Sequence, residues 1–327
     1  MDPVPARDTD LKAMPLTSGR RPRRSESTTG ALYGIASYGI WGVLPLYFIV
    51  LSPAGNVEIV ASRIVFSLVF CAALLTATRG WGKFTAAIRD RKVLGLLAVA
   101  AVLLTVNWLT YTYGVTTGQA IEASLGYFIN PLVSVLLGVL VLKEKLRPLQ
   151  WAAVGIGATA VVILTISYGK LPWIALVLAF SFGLYGFVKK KVGPKVDPTS
   201  SLSIETAVLA PFAAATLVFL SVNGEATLAT LGAGHFWLMA ASGVITAVPL
   251  VMFGAAASRL PMTTIGLLQY LAPVIQFIIA VAVLGEQMGA AQWMGFIIVW
   301  VALALLTVDM LHSYRKMVLL RRAGISA

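Results

Sequence analysis

Arg63, Asn107, Glu122, Asn130 and Gln269 stand inside stretches of sequence that are otherwise almost wholly apolar. Polar groups are costly to bury in such settings, so each is a candidate for recognising a solute or carrying a proton. Arg63 falls about six residues into its apolar run, roughly 9 Å along a helix axis. Glu58 lies five residues earlier and about 140° around that helix, so the two cannot pair on one straight helix. Arg63 therefore requires water, a partner on another helix, or an anionic group of a solute. Glu122 opens the segment that ends at Pro131 and is the candidate proton carrier. Within that segment Tyr127 and Asn130, followed by Ser134, recur at i, i+3 and i+7 and share one helix face.

Aromatic residues accompany these groups. Trp108 adjoins Asn107, which shares a face with Tyr111, and Tyr38, Trp41 and Pro45 recur at i, i+3 and i+7. Trp41 and Trp108 lie well inside their apolar runs, away from the edges where interfacial aromatics collect. Inward-facing rings with a few amides suit a moderately apolar or aromatic solute, and ordinary interhelical packing is the other use of such residues. Pro131 removes the hydrogen bond to the Tyr127 carbonyl, and Pro273 is expected to kink its own helix below Gln269 and Tyr270. Glu58 and Glu205 each fall in the first turn of an expected span, where a carboxylate complements the helix N-terminus. Glu144 and Glu286 end spans in matched positions and are expected to cap the helices beginning near Pro148 and Gly289.

Catalysis finds no support in the motifs. There is no Gly-x-Ser-x-Gly, no phosphate-binding loop and no His-Glu-x-x-His. Two histidines and the single Cys71 are too few for a histidine- or cysteine-built metal site. No catalytic residue, metal or cofactor is expected, and nothing in the chain points to direct ATP coupling.

The elements that must position these residues follow from composition. Hydrophobic residues make up 58% of the 327, charged residues only 12%, and mean hydropathy is +0.87. A water-soluble domain cannot cover that much apolar surface, so the reading is an all-α integral membrane protein. Apolar runs between polar breaks predict ten transmembrane helices, at about 31–51, 57–77, 93–113, 119–142, 149–167, 172–189, 202–221, 235–256, 262–284 and 291–311. With the N-terminus inside, nearly all of the 25 Lys and Arg residues fall on the inner side; Lys170 alone lies outside, and Arg63 lies within a span. That split predicts two cytoplasmic termini in an inner membrane, and it assigns the net charge of +12 to topology and lipid rather than nucleic acid.

The chain also repeats itself. Pro131, Glu144, Gln150 and Trp151 recur as Pro273, Glu286, Gln292 and Trp293 at a constant offset of 142 residues. Five spans per copy force the second copy to cross in the opposite sense, giving two inverted five-helix repeats. The predicted organisation is a disordered basic tail (1–28), a first repeat (29–168), a second repeat (169–312) and a cytoplasmic tail (313–327). Within it the deep polar residues are concentrated in the first half: Asn107 aligns with Pro249, and Glu122 with Thr264.

The chain resembles the RarD branch of the EamA-type transporters, in the drug/metabolite transporter superfamily. The residues that carry this are Trp41-Gly42-x-Leu44-Pro45-x-Tyr47, Glu58 with Arg63-Ile64, Asn107-Trp108, the run from Glu122 to Leu132, and Gln150-Trp151. Leu171-Pro172-Trp173, Ser181-Phe182-Gly183-x-Tyr185-Gly186, Glu205 with Pro211, Gln269-Tyr270-x-x-Pro273 and Gly285-Glu286 continue it. The resemblance implies a ten-helix inner-membrane carrier with a central cavity lined by the third, fourth, eighth and ninth spans, with the first and sixth. It departs from the branch at Ser62, where many members carry a histidine, which weakens any histidine-based proton role.

The expectation is a secondary transporter that exports a small organic metabolite or drug-like solute by alternating access. Trp41, Arg63, Asn107, Trp108, Tyr127, Asn130 and Gln269 are expected at the solute, and Glu122 at the proton. The alternative is a non-transporting membrane sensor or scaffold, which would fill the space between repeats with apolar side chains. Small-molecule substrate and membrane lipid are the expected partners, and oligomeric state is left open.

Overall fold

Long apolar runs surrounded by lipid must satisfy their backbone internally, and among the described residues the chain does so with helices alone. The computed structural model describes residues 26–142, 147–168, 171–257, 259–260 and 268–322. Its helices are α1 (Glu26–Val50), α2 (Asn56–Ala77), α3 (Trp81–Arg89), α4 (Arg91–Thr116), α5 (Ala120–Leu142) and α6 (Pro148–Tyr168). They continue as α7 (Trp173–Val192), α8 (Pro198–Val222), α9 (Gly232–Ala257), α10 (Leu271–Ile278, extended by a π turn over Ile279–Val283) and α11 (Ala290–Arg322). Among the described residues seven helices are long and apolar enough to cross a bilayer: α1, α2, α4, α6, α8, α9 and α11. The chain is an all-α multi-pass membrane protein. Its outward faces are greasy, with Ile166, Phe212 and Val222 all more than two-thirds exposed, a surface only lipid can cover.

Local chemistry sets several helix ends. The Asp90 carboxylate accepts from the backbone N–H of Lys92 (2.9 Å) and Val93 (3.2 Å) and so caps α4. The Val93 N–H in particular holds that carboxyl below its ordinary range. Asp197 caps α8 through the Ser200 N–H, with Pro198 at the first helical position, where its missing N–H costs nothing. At the end of α10, Gly285 takes a φ of 68°, which favours glycine and turns the chain sharply into Glu286.

Four expectations about elements need correction. The basic stretch between α2 and α4 was expected as a loop but folds as the short helix α3, with Ala87 buried beneath it. α11 continues to Arg322, past the expected end of the tenth span at about 311. Glu205 lies two turns into α8, because Asp197 and Pro198 start that helix earlier than its apolar run does. Pro273 does not kink a continuous helix; a turn at Gln269–Tyr270 precedes α10, so Pro273 sits in a first turn. Glu144 and Lys170 lie outside the described residues.

Close packing depends on small residues. α5 packs on α7, α6 on α11, α2 on α8 and α9, α4 on α7, and α1 on α9 and α10. A Cβ at Gly126 would meet the Ala175 carbonyl oxygen of α7 at 2.7 Å, and one at Gly243 would meet the Phe66 carbonyl carbon of α2 at 2.3 Å. Both are backbone-to-backbone approaches that only glycine permits. Gly243→Ala is expected to cost about 1–3 kcal/mol through overpacking. Gly155→Ala, with nothing within 4 Å of its Cβ, is expected to leave stability unchanged or slightly raised. Thermal unfolding of the two variants in detergent checks this, and equal midpoints would contradict the packing account.

Candidate functional site

The helices α1, α2, α4, α5, α7, α9 and α10 enclose a chamber whose water-accessible volume is about 70 Å³. Tyr38, Trp41 and Leu44 reach it from α1, Arg63 from α2, and Leu104, Asn107, Trp108 and Tyr111 from α4. Tyr127 and Asn130 enter from α5, Phe182 from α7, and Thr246 and Leu250 from α9. Gln269, Ala272, Pro273 and Gln276 close it from α10 and the turn before it.

Among the described residues Arg63 is the one charged residue of that lining, and it is only 3% exposed. Its Nε donates to Thr246 Oγ1 at 2.9 Å. The guanidinium carbon stands 4.5 Å from the Trp108 ring centroid and 5.1 Å from that of Phe48. Desolvated cation–π contacts are each worth about 2 kcal/mol. Two of them offset much of the cost of holding a cation at this depth.

Asn107 knots three helices together. Its Nδ2 donates to the Leu178 carbonyl (3.2 Å) and Ser181 Oγ (3.0 Å) on α7, and its Oδ1 accepts from the Tyr127 hydroxyl on α5 (2.9 Å). Asn130 Nδ2 donates to the Ala179 carbonyl at 3.1 Å. On the opposite wall, Pro45 deprives the Trp41 carbonyl of its helical donor, and Gln276 Nε2 supplies a replacement at 3.0 Å. The Tyr38 and Trp41 rings meet edge-on at 5.3 Å, and Phe253 packs against both.

All seven residues expected at the solute line this one chamber, from five different elements. Pro273 lines it as well; Pro131 is buried but lies outside it. Thr246 and Gln276 were missed. Gln276 had a readable signal, seven residues after Gln269 and therefore on the same face, whereas a single threonine in an apolar span has none. With Gln269 they make three polar groups from the second half, beside Arg63, Asn107, Asn130 and three tyrosines from the first.

The carboxylates lie elsewhere. Glu122 does not line the chamber; its Oε1 accepts from the Ile174 N–H at the start of α7, at 3.0 Å. Glu286 does not cap the helix that follows it. The turn at Gly285 carries it to the start of α5, where it accepts from Ala120 N–H (2.8 Å) and Ile121 N–H (2.9 Å). Glu58 is fully buried and accepts from Thr227 N–H (2.7 Å), Leu228 N–H (2.8 Å) and Thr227 Oγ1 (2.8 Å). Glu205 pairs with Lys189 at 2.5 Å and accepts from the Ser201 and Tyr185 hydroxyls.

Comparison with known proteins matches a sequence model of the EamA-like transporter family over residues 28–166 and 171–308. A protein named RarD from Streptomyces exfoliatus is 49% identical over 89% of this chain and 92% of its own length. Protein RarD of Escherichia coli strain K12 is 38% identical over 89% and 98%. A solved crystal structure at 17% identity superposes with a TM-score of 0.59, covering 87% of this chain and 99% of that one, a likeness that concerns fold alone.

Glu286→Ala would leave the first two N–H groups of α5 without acceptors. It is expected to cost about 1–2 kcal/mol, as the loss of a helix cap does, while Glu286→Gln, which keeps one acceptor, costs less. Thermal unfolding ranks the pair; a neutral Glu286→Ala would show that the contact carries no stability.

Proposed function

The chain belongs to the EamA-like transporter family, and on that premise we propose that the central chamber is the solute site of a ten-helix carrier built from two inverted five-helix repeats. The protein is a secondary transporter of a small organic solute working by alternating access. The observation that carries the site assignment is the chamber itself, where amides, an arginine and aromatic rings from both halves converge within a membrane protein. A sensor or scaffold would have apolar packing there. The Asn107 bonds to the side chains of Tyr127 and Ser181 favour a polar, specific site over such packing.

Helix pairing supports the inverted repeat. Across the two halves, α5 against α7 is answered by α10 against α1, and α4 against α7 by α9 against α1. A Cβ at Gly183 would meet Val133, and one at Gly42 would meet Ile275, which follows Val133 by the same 142-residue offset. The distribution of Lys and Arg supports cytoplasmic termini in the inner membrane.

Alternating access requires the helices around the chamber to part on each side in turn. In this reading the two halves rock about the chamber, and Glu122 couples the motion to protons from outside it. Ionised, Glu122 holds the first turn of α7 through the Ile174 N–H; protonated, it is a weaker acceptor and releases α7 from α5. Glu122→Gln keeps an acceptor oxygen for that N–H and is expected to fold, yet to lose transport driven by a pH gradient in proteoliposomes. A panel of aromatic metabolites and antibiotics supplies the solute. Wild-type proton-driven flux in this variant would end the coupling role, and loss of thermal stability would assign Glu122 to structure instead.

A further inference from the structure

Among the described residues five buried side-chain polar atoms have no partner within the protein, and three belong to the chamber: Arg63 Nη1, Tyr111 Oη and Gln276 Oε1. Unsatisfied buried groups are rare in native structures. Their concentration in one chamber is the mark of a site whose hydrogen bonds are completed by what it binds. Arg63 and Tyr111 flank the same ring: Phe48 stands 5.1 Å from the guanidinium carbon and 5.8 Å from the Tyr111 centroid.

Among the described residues neither Asp nor Glu lines the chamber and no carboxylate pairs with Arg63. Its Nε is committed to Thr246 and its guanidinium carbon stands over the Trp108 and Phe48 rings, while Nη1 remains to donate. The Tyr111 hydroxyl, unpartnered in the same chamber, can donate as well. Two unpartnered donors, one of them charged, call for an acceptor group that carries negative charge, as an oxyanion does. Gln276 has spent its amide nitrogen on the Trp41 carbonyl, so its free oxygen can only accept. The rings of Trp41, Trp108 and Phe182 supply an apolar surround.

We infer that the transported solute is an organic anion: a carboxylate or chemically equivalent oxyanion on an aromatic or apolar body, its charge on Arg63 and Tyr111. A hydrogen-bond donor elsewhere on the solute meets Gln276 Oε1. This rests on the chamber being the solute site and narrows what that site accepts. A neutral amide of the same shape would leave Arg63 unpaired and turn an N–H toward it, so selection against uncharged analogues is built in.

The test is tryptophan emission of the purified full chain in nanodiscs, since Trp41 and Trp108 both line the chamber. The probes are benzoate, phenylacetate and 3-phenylpropionate, each against its neutral amide, with inorganic phosphate and chloride as bare anions. The expected result is that the acids bind at least tenfold more tightly than their amides. Arg63→Lys should keep that preference in weaker form, Arg63→Gln should abolish it, and Tyr111→Phe should reduce it several-fold. Tyr111→Phe and Arg63→Lys keep the test open should Arg63→Gln fail to fold. Equal binding of acids and amides overturns the inference, as does a preference that survives Arg63→Gln, or binding of chloride or phosphate with none of the acids. If amides bind and exchange across reconstituted vesicles as well as acids do, the anion inference falls while the carrier reading stands. If no probe changes the emission or crosses the membrane, both fall.

Discussion

A guanidinium held deep in a membrane protein without a carboxylate constrains everything around it. Placing Arg at the centre of a span costs about 2.5–3.5 kcal/mol on insertion scales, and desolvated cation–π contacts return about 2 kcal/mol each. Trp108 and Phe48 on its faces and Thr246 on its Nε therefore bring Arg63 close to balance without a counter-ion. That balance fixes three helices: α4 must present Trp108, α1 must present Phe48, and α9 must bring Thr246 within reach of α2. The close approach at Gly243, where α9 lies against the α2 backbone, makes the last of these possible. Any residue with a Cβ there would push Thr246 away from the arginine.

The two ends of the bundle are fastened by different chemistry. At one end Glu58, Glu122 and Glu286 each accept backbone N–H groups from a separate segment, tying α2 to the α8–α9 connection, α5 to α7, and α10 to α5. At the other end the fastenings are ion pairs: Lys189 with Glu205, Arg147 with Asp309, and Lys195 with Asp90. The basic residues needed for the pairs are those whose one-sided distribution sets the expected topology. The first kind of fastening responds to protonation of a carboxylate; the second also responds to ionic strength where it is exposed, as at Lys195–Asp90. A structure that must open alternately at its two ends thus has a different lock at each.

Much of the chamber was legible because polarity at membrane depth is expensive. Arg63, Asn107, Asn130 and Gln269 stand out from their surroundings for that reason alone, and helix periodicity added Tyr127. The carboxylates misled for the same reason. Glu122 is conspicuous in sequence but is spent on a helix start 52 residues away. Glu286 caps α5 rather than its own successor, because the turn at Gly285 is invisible to any rule about neighbouring spans. Thr246 gave no sign, since its role is defined entirely by Arg63 on another helix. Gln276 was hidden in a different way: its donor satisfies a carbonyl freed by Pro45, a relation across 231 residues that only packing reveals.

The central claim is that this chamber is the solute site and opens to each side in turn. Ala272 lines it and tolerates a thiol with little change in volume. In a Cys71→Ser background, Ala272→Cys should be labelled by a membrane-impermeant maleimide from both faces of oriented vesicles, at rates that bound solute lowers on both. Labelling from one face only, or labelling that no solute slows, would contradict the account.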